Sequence, residues 1–178
     1  MKTTTKFLAT AAAALAIFFS TNVNAQTTTT PESGASPKFG IGLNVGIPTN
    51  DAWGVAVGGD LRYQFDIDKQ LSVPITAGYT RLVGKETNGI DFPSYGYIPV
   101  KAGLKYFFND TGAGVYGLAE AGAAFAVGDF SGTNFVYSPA IGYAWSNGLD
   151  LAAKYEGITT SGSSTGYVGV RLAYGFKL

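Results

Sequence analysis

From residue 38 onward the chain alternates. Eight stretches carry apolar side chains at every second position, with small or polar side chains between them: 39–47, 53–65, 71–82, 98–108, 115–127, 135–145, 149–156 and 168–178. A period of two is the signature of a strand whose faces differ. In the first stretch Phe39, Ile41, Leu43, Val45 and Ile47 share one face, and Gly40, Gly42, Asn44 and Gly46 the other. The third gathers Leu71, Val73, Ile75, Ala77 and Tyr79 on one face. The fifth is rich in Ala and Gly on both faces, so its register is the least specified. No stretch after residue 25 carries an amphipathic helical stripe. The pattern predicts an all-β fold of eight antiparallel strands.

The two faces are chemically distinct. One holds Val, Ile, Leu, Tyr, Phe and Trp; the other holds Gly, Ala, Ser and nearly all the strand charges. A soluble barrel points its large apolar residues inward and a charge-rich surface outward. A face that is largely glycine and alanine is a poor water-facing surface but suits a narrow lumen. The large apolar face is then left for lipid. Aromatic residues concentrate near the strand ends. With strands alternating in direction, Phe39, Tyr63, Phe65, Tyr106, Phe108, Tyr143, Trp145, Tyr174 and Phe176 fall at one end. Trp53, Tyr79, Phe125, Phe135, Tyr137 and Tyr155 fall at the other. Two aromatic girdles around an aliphatic band match two membrane–water interfaces.

The connections alternate as well. Those at 66–70, 109–114 and 146–148 are short, and Asn147-Gly148 is a hairpin signal. On the opposite end 48–52 is short, while 83–97, 128–134 and 157–166 are longer. Short periplasmic turns and longer outer loops are the outer-membrane arrangement. Eight strands let the first and last pair, which removes the sheet edge that lipid does not tolerate. The expectation is an eight-stranded antiparallel up-and-down transmembrane β-barrel over 38–178.

The segment before it reads differently. Lys2 and Lys6 precede an uncharged apolar run at 7–19, then a polar stretch ending Val23-Asn24-Ala25. This is the layout of a secretory signal peptide with cleavage after Ala25. The run is too short to span a bilayer as a helix. Residues 26–37, QTTTTPESGASP, read as a flexible leader.

Composition narrows the chemistry. The 178 residues carry 12 Lys+Arg and 12 Asp+Glu, and loss of Lys2 and Lys6 leaves a net charge of −2. Charged residues make up only 13%, with no basic run, which argues against nucleic acid as a partner. Cys and His are both absent. That removes disulfides, thiolate metal sites, the commonest metal ligand and the commonest general base. No catalytic residue, metal site or cofactor is expected. Gly112 to Gly117 match GxGxxG, but they follow a turn and open a strand, not a helix. Asp66-Ile67-Asp68 resembles the start of a calcium loop without its Gly or closing Glu, and reads as a plain turn.

The stretches IPVKAGLKYFF (98–108), YSPAIGY (137–143) and GVRLAYGF (169–176) resemble the small outer-membrane β-barrel family often labelled "porin family protein". The likeness covers about 38–178 and extends to the eight-stranded architecture of OmpA- and OmpX-like barrels. It implies the outer membrane of a diderm bacterium and insertion by the barrel-assembly machinery; the apolar face meets outer-membrane lipid, and a monomer is expected. Barrels of this family usually end on an aromatic residue; here Leu178 is last, with Phe176 two positions earlier on the same face.

Inward parity assigns ten charges to the lumen: Asp60, Arg62, Lys101, Lys105, Glu120, Asp150, Lys154, Glu156, Arg171 and Lys177. With 109–114 as the turn, Glu120 faces Gly103, and Lys101 and Lys105 become its diagonal neighbours. Lys154, Asp150 and Arg171 fall near one another by the same counting. Charges in a narrow lumen must be paired or wet. They therefore form either a structural plug or a gate that exchanges partners to pass small ions. Arg81 lies on the outward parity near a strand end, either snorkelling to lipid headgroups or already in a loop. The functional expectation is a structural or interaction barrel with at most a small or gated pore. The alternatives are a secreted lipocalin-like carrier of an apolar ligand, or an adhesin or receptor acting through the outer loops on an unidentified partner.

Overall fold

The computed structural model describes residues 38–87, 90–128, 130–160 and 163–177. The signal peptide and leader expected at 1–25 and 26–37 lie outside these residues. Ten strands follow in order: β1 (Lys38–Pro48), β2 (Trp53–Asp66), β3 (Leu71–Gly84), β4 (Glu86–Thr87), β5 (Ile90–Asp91), β6 (Tyr95–Phe107), β7 (Gly114–Val127), β8 (Thr133–Ala144), β9 (Leu149–Thr160) and β10 (Ser163–Lys177). Eight of them close into one antiparallel barrel in the order β1-β10-β9-β8-β7-β6-β3-β2, and β4 and β5 form a separate hairpin between β3 and β6. Apart from the closing pair β1–β10, every neighbour in the barrel is a sequence neighbour once that hairpin is set aside, so the topology is up-and-down. β1 and β10 seal the cylinder, with Leu43 opposite Leu172 and Val45 opposite Val170.

Alternation decides which way each side chain points. Along β1 exposure switches at every residue from Ile41 to Pro48. Leu43 is 71% exposed and Ile47 74%, whereas Asn44 between them is 7% exposed. The same rule puts Leu61, Leu104, Ile141, Leu151, Val170 and Leu172 outside. Near the turn end four strands carry or run into aromatic pairs two residues apart, packed edge-to-face or tilted: Tyr63–Phe65, Tyr106–Phe108, Tyr143–Trp145 and Tyr174–Phe176. Near the loop end Phe135, Tyr137 and Tyr155 form a contiguous cluster. The Tyr137 ring lies over Gly157, where a methyl group would sit 2.6 Å from it. An aromatic thus covers a glycine gap in the outer surface.

The turns are built locally. Asp68 Oδ1 accepts bonds of 2.7 Å from the backbone N–H of both Gln70 and Leu71, closing the β2–β3 turn. At the β8–β9 turn Gly148 has φ of +96°, a conformation that favours glycine. Two boundaries differ from expectation. Residues 157–166 are not a long loop: β9 and β10 continue their ladder to Ser163 opposite Thr160, through Gly157 opposite Gly166. The stretch shows no apolar alternation, yet Gly157 to Thr160 and Ser163 to Gly166 stay paired because each strand supplies the other's backbone partners. Likewise β6 starts at Tyr95, inside the stretch read as loop 83–97, and that loop holds the β4–β5 hairpin.

Candidate functional site: the barrel interior

The interior has three layers. Toward the loop end Ala56, Leu82, Tyr97, Ala124, Val136, Ile158 and Tyr167 form a buried apolar cluster across the lumen. A charged layer lies in the middle. Toward the turn end a vestibule of about 960 Å³ opens, walled by Lys38, Asp66, Phe107 and Ala173 and reaching Arg62, Lys105, Asp150 and Arg171.

The charged layer is one connected chain. Lys105 Nζ donates to Asp150 Oδ2 at 2.9 Å, and Tyr116 O–H donates to Asp150 Oδ1 at 2.6 Å. Arg171 Nη1 lies 3.8 Å from Asp150 Oδ1, and its Nε and Nη2 grip Asp60 at 2.6–3.1 Å. Asn44 links onward: Nδ2 donates to Asp60 at 2.7 Å, and Oδ1 accepts from Lys154 Nζ at 3.1 Å. Lys154 also donates to Glu156 Oε2 at 3.0 Å. Glu156 in turn pairs with Lys101 and accepts a 2.7 Å bond from Tyr97 O–H. Lys101 lies 3.9 Å from Glu120, which receives Arg62 Nη2 at 3.2 Å and the Thr76 hydroxyl at 2.5 Å. Each bond answers the desolvation cost of its neighbours, which several kcal/mol per isolated charge would otherwise impose.

The structure thus joins nine of the ten residues singled out by parity. Lys177 is in β10, but its side chain lies outside the described residues. Gly103 pairs with Glu120, the register the 109–114 turn predicts. One partner differs: Lys105 turns to Asp150, not Glu120, because Asp150 sits with the Tyr116 phenol against the same lysine. Lys105 Nζ also lies 3.8 Å from the centre of the Tyr116 ring. Tyr116, Asn44, Thr76 and Tyr97 are interior partners that charge counting passed over. Tyr116 is recoverable from parity, four residues before Glu120 on one face. Tyr97 is not, because it fell in a stretch read as loop. Arg81 is in β3, exposed on the outward face, opposite Val57 and Gly96.

Glycines make room for this chain. A methyl group at Gly42 would lie 2.6 Å from Arg171 Nη2 and 2.8 Å from its Cζ. The small-residue face is therefore the space that the guanidinium fills. The carrier alternative finds little support: Leu43, Ile47, Leu104 and Leu172 point outward, the apolar layer is filled, and the open vestibule is lined largely by charged and polar residues unsuited to an apolar ligand.

A closed eight-stranded up-and-down barrel with an apolar exterior and a charged, filled lumen is the fold of the small outer-membrane barrels. Among solved structures the chain is similar to Ail of Yersinia pestis in a phospholipid bilayer nanodisc: TM-score 0.56, 17% identity, covering 78% of this chain and 99% of that one. It is also similar to the N-terminal barrel domain of Pseudomonas aeruginosa OprF: TM-score 0.55, 15% identity, 80% and 99% covered. The designed barrel TMB2.3 matches at TM-score 0.52 and 14% identity, with 83% and 100% covered. No protein-family model and no curated protein matches the sequence.

Proposed function

We propose that the protein is a monomeric integral outer-membrane barrel with a structural role, sealed to all but the smallest solutes, and not an enzyme. The observation that supports this best is the pairing of an apolar exterior with a lumen closed twice over. The apolar cluster around Tyr97 and Tyr167 fills the loop end, and the ion-pair chain fills the middle. Each ion pair must keep its partner close to offset desolvation, so the network holds the same space that the lumen glycines leave open. Export uses a signal peptide removed after Ala25, and insertion uses the barrel-assembly machinery. Fractionation, gel mobility and planar-bilayer recording test the reading together. The protein should leave the envelope only with detergent, migrate differently before and after boiling, and show no large steady conductance. A porin-like conductance would overturn the sealed lumen, and a mature mass retaining residues 7–19 would overturn the cleavage.

A second role, interaction through the loop end, is favoured by the aromatic group there. Tyr95 packs against Trp53 at 6.3 Å and Phe130 at 5.1 Å, and the neighbouring Phe92 is 39% exposed. Removal of the β4–β5 hairpin should leave folding intact and abolish any cell or surface binding that the intact protein shows.

A further inference from the structure

The buried network is not neutral. Among the described side chains its ion-pair chain holds five cations, Arg62, Lys101, Lys105, Lys154 and Arg171, against four carboxylates, Asp60, Glu120, Asp150 and Glu156. Lys38 and Asp66 at the mouth pair with each other at 2.8 Å and leave the balance unchanged. The surplus is also unevenly placed. Lys154, Lys101 and Arg62 share two carboxylates, Glu156 and Glu120, and Arg62 is the member of that run that reaches the vestibule. Three cations, Arg62, Lys105 and Arg171, line the inner end of the vestibule beside Asp150, while Asp66, Asp68 and Asp110 line it together with Lys38 and Lys69. Arg62, Lys105 and Arg171 are 6%, 3% and 4% exposed, so water screens them little. Arg62 commits Nε to Thr76 and Nη2 to Glu120, and no described residue takes a bond from Nη1. Arg171 commits Nε and Nη2 to Asp60, and its Nη1 has only the 3.8 Å approach of Asp150. An uncompensated buried cation costs several kcal/mol, and the vestibule, open to solvent at the turn end, lets a mobile anion supply the missing charge.

We propose that the floor of the turn-end vestibule is a binding site for one small oxyanion, of the phosphate or carboxylate class, held by Arg62, Lys105 and Arg171. The uncommitted Nη1 of each guanidinium suits one oxygen of such an anion, and the Lys105 ammonium adds a point charge. The anion completes the charge balance of the plug and reaches it only from the turn end. The site does not depend on whether the barrel conducts.

Calorimetric titration of the full chain in a zwitterionic detergent tests this, with inorganic phosphate replacing chloride at constant ionic strength and acetate as a second probe. Phosphate should bind saturably at one site per chain. Lys105→Met removes the surplus charge and should weaken phosphate about tenfold, the effect of one unit charge several Å away. Asp150→Asn raises the surplus and should tighten it by about the same factor. A general loss of structure cannot produce opposite shifts in the two variants. Lys69→Ala at the exposed mouth should change nothing. Absence of saturable phosphate binding by the wild type overturns the proposal. So does binding that both interior variants leave unchanged, or that Lys69→Ala abolishes.

Discussion

Among the four carboxylates of the ion-pair chain, Glu156 has the most partners within 3.0 Å. Lys101, Lys154 and the Tyr97 phenol all converge on it at 3.0 Å or less. Glu120 holds Arg62 and the Thr76 hydroxyl, while its Lys101 contact, at 3.9 Å, is the longer of that lysine's two. Removing one member of a buried pair leaves its partner uncompensated and costs about 3–5 kcal/mol. Glu156→Ala should therefore lie near the upper end of that range and Glu120→Ala near the lower, since Lys101 keeps Glu156 in the second case. Urea titration of folding into lipid vesicles measures both. Equal losses would mean that Lys101 is shared evenly between the two acids. Gly42 makes a complementary test. A methyl group there meets the Arg171 guanidinium at 2.6 Å, so Gly42→Val should displace it from Asp60 and cost about 1–3 kcal/mol by overpacking. An unchanged unfolding midpoint would show that the guanidinium has room to move.

At the scale of strands, alternation was enough to read the eight barrel segments, their facing and much of their pairing. Phe39 to Ile47 and Val168 to Phe176 each keep one apolar face without interruption, and a one-residue slip would turn that face into the lumen. The Glu120–Gly103 register was legible because 109–114 is a short turn. What escaped was pairing carried by backbone alone. The segment 157–166 has no greasy face to announce it, yet Thr159 pairs with Ser164 and Ile158 with Thr165. Tyr97 escapes alternation for the same reason: Gly96 and Tyr95 before it break the pattern, which starts only at Ile98. With Tyr97 went the apolar layer, because Leu82, Val136, Ile158 and Tyr167 meet only in three dimensions. Which acid each lysine takes was likewise beyond counting, since Lys105 and Asp150 belong to strands that are not neighbours. A strand-level test lies at Gly148. Its φ of +96° disfavours any side chain, so Gly148→Val should cost about 1–3 kcal/mol and slow closure of the β8–β9 turn. Refolding kinetics into micelles would read it, and an unaltered rate would place that turn after the rate-limiting step.

At the scale of the whole molecule the two surfaces depend on each other. A barrel can turn its large residues outward only if lipid receives them, and it can bury nine linked charges only if they satisfy one another. The exterior claim is tested most directly at Leu43. It is 71% exposed, on the sealing strand, between the aromatic girdle at Phe39 and the aliphatic Val45 and Ile47. The measurement is the folding free energy of Leu43→Arg against wild type in phospholipid vesicles. A charge at the middle of a lipid-facing band should destabilise the barrel by about 2–4 kcal/mol. An arginine at Leu43 that leaves the folding free energy unchanged would mean that water, not lipid, meets this face.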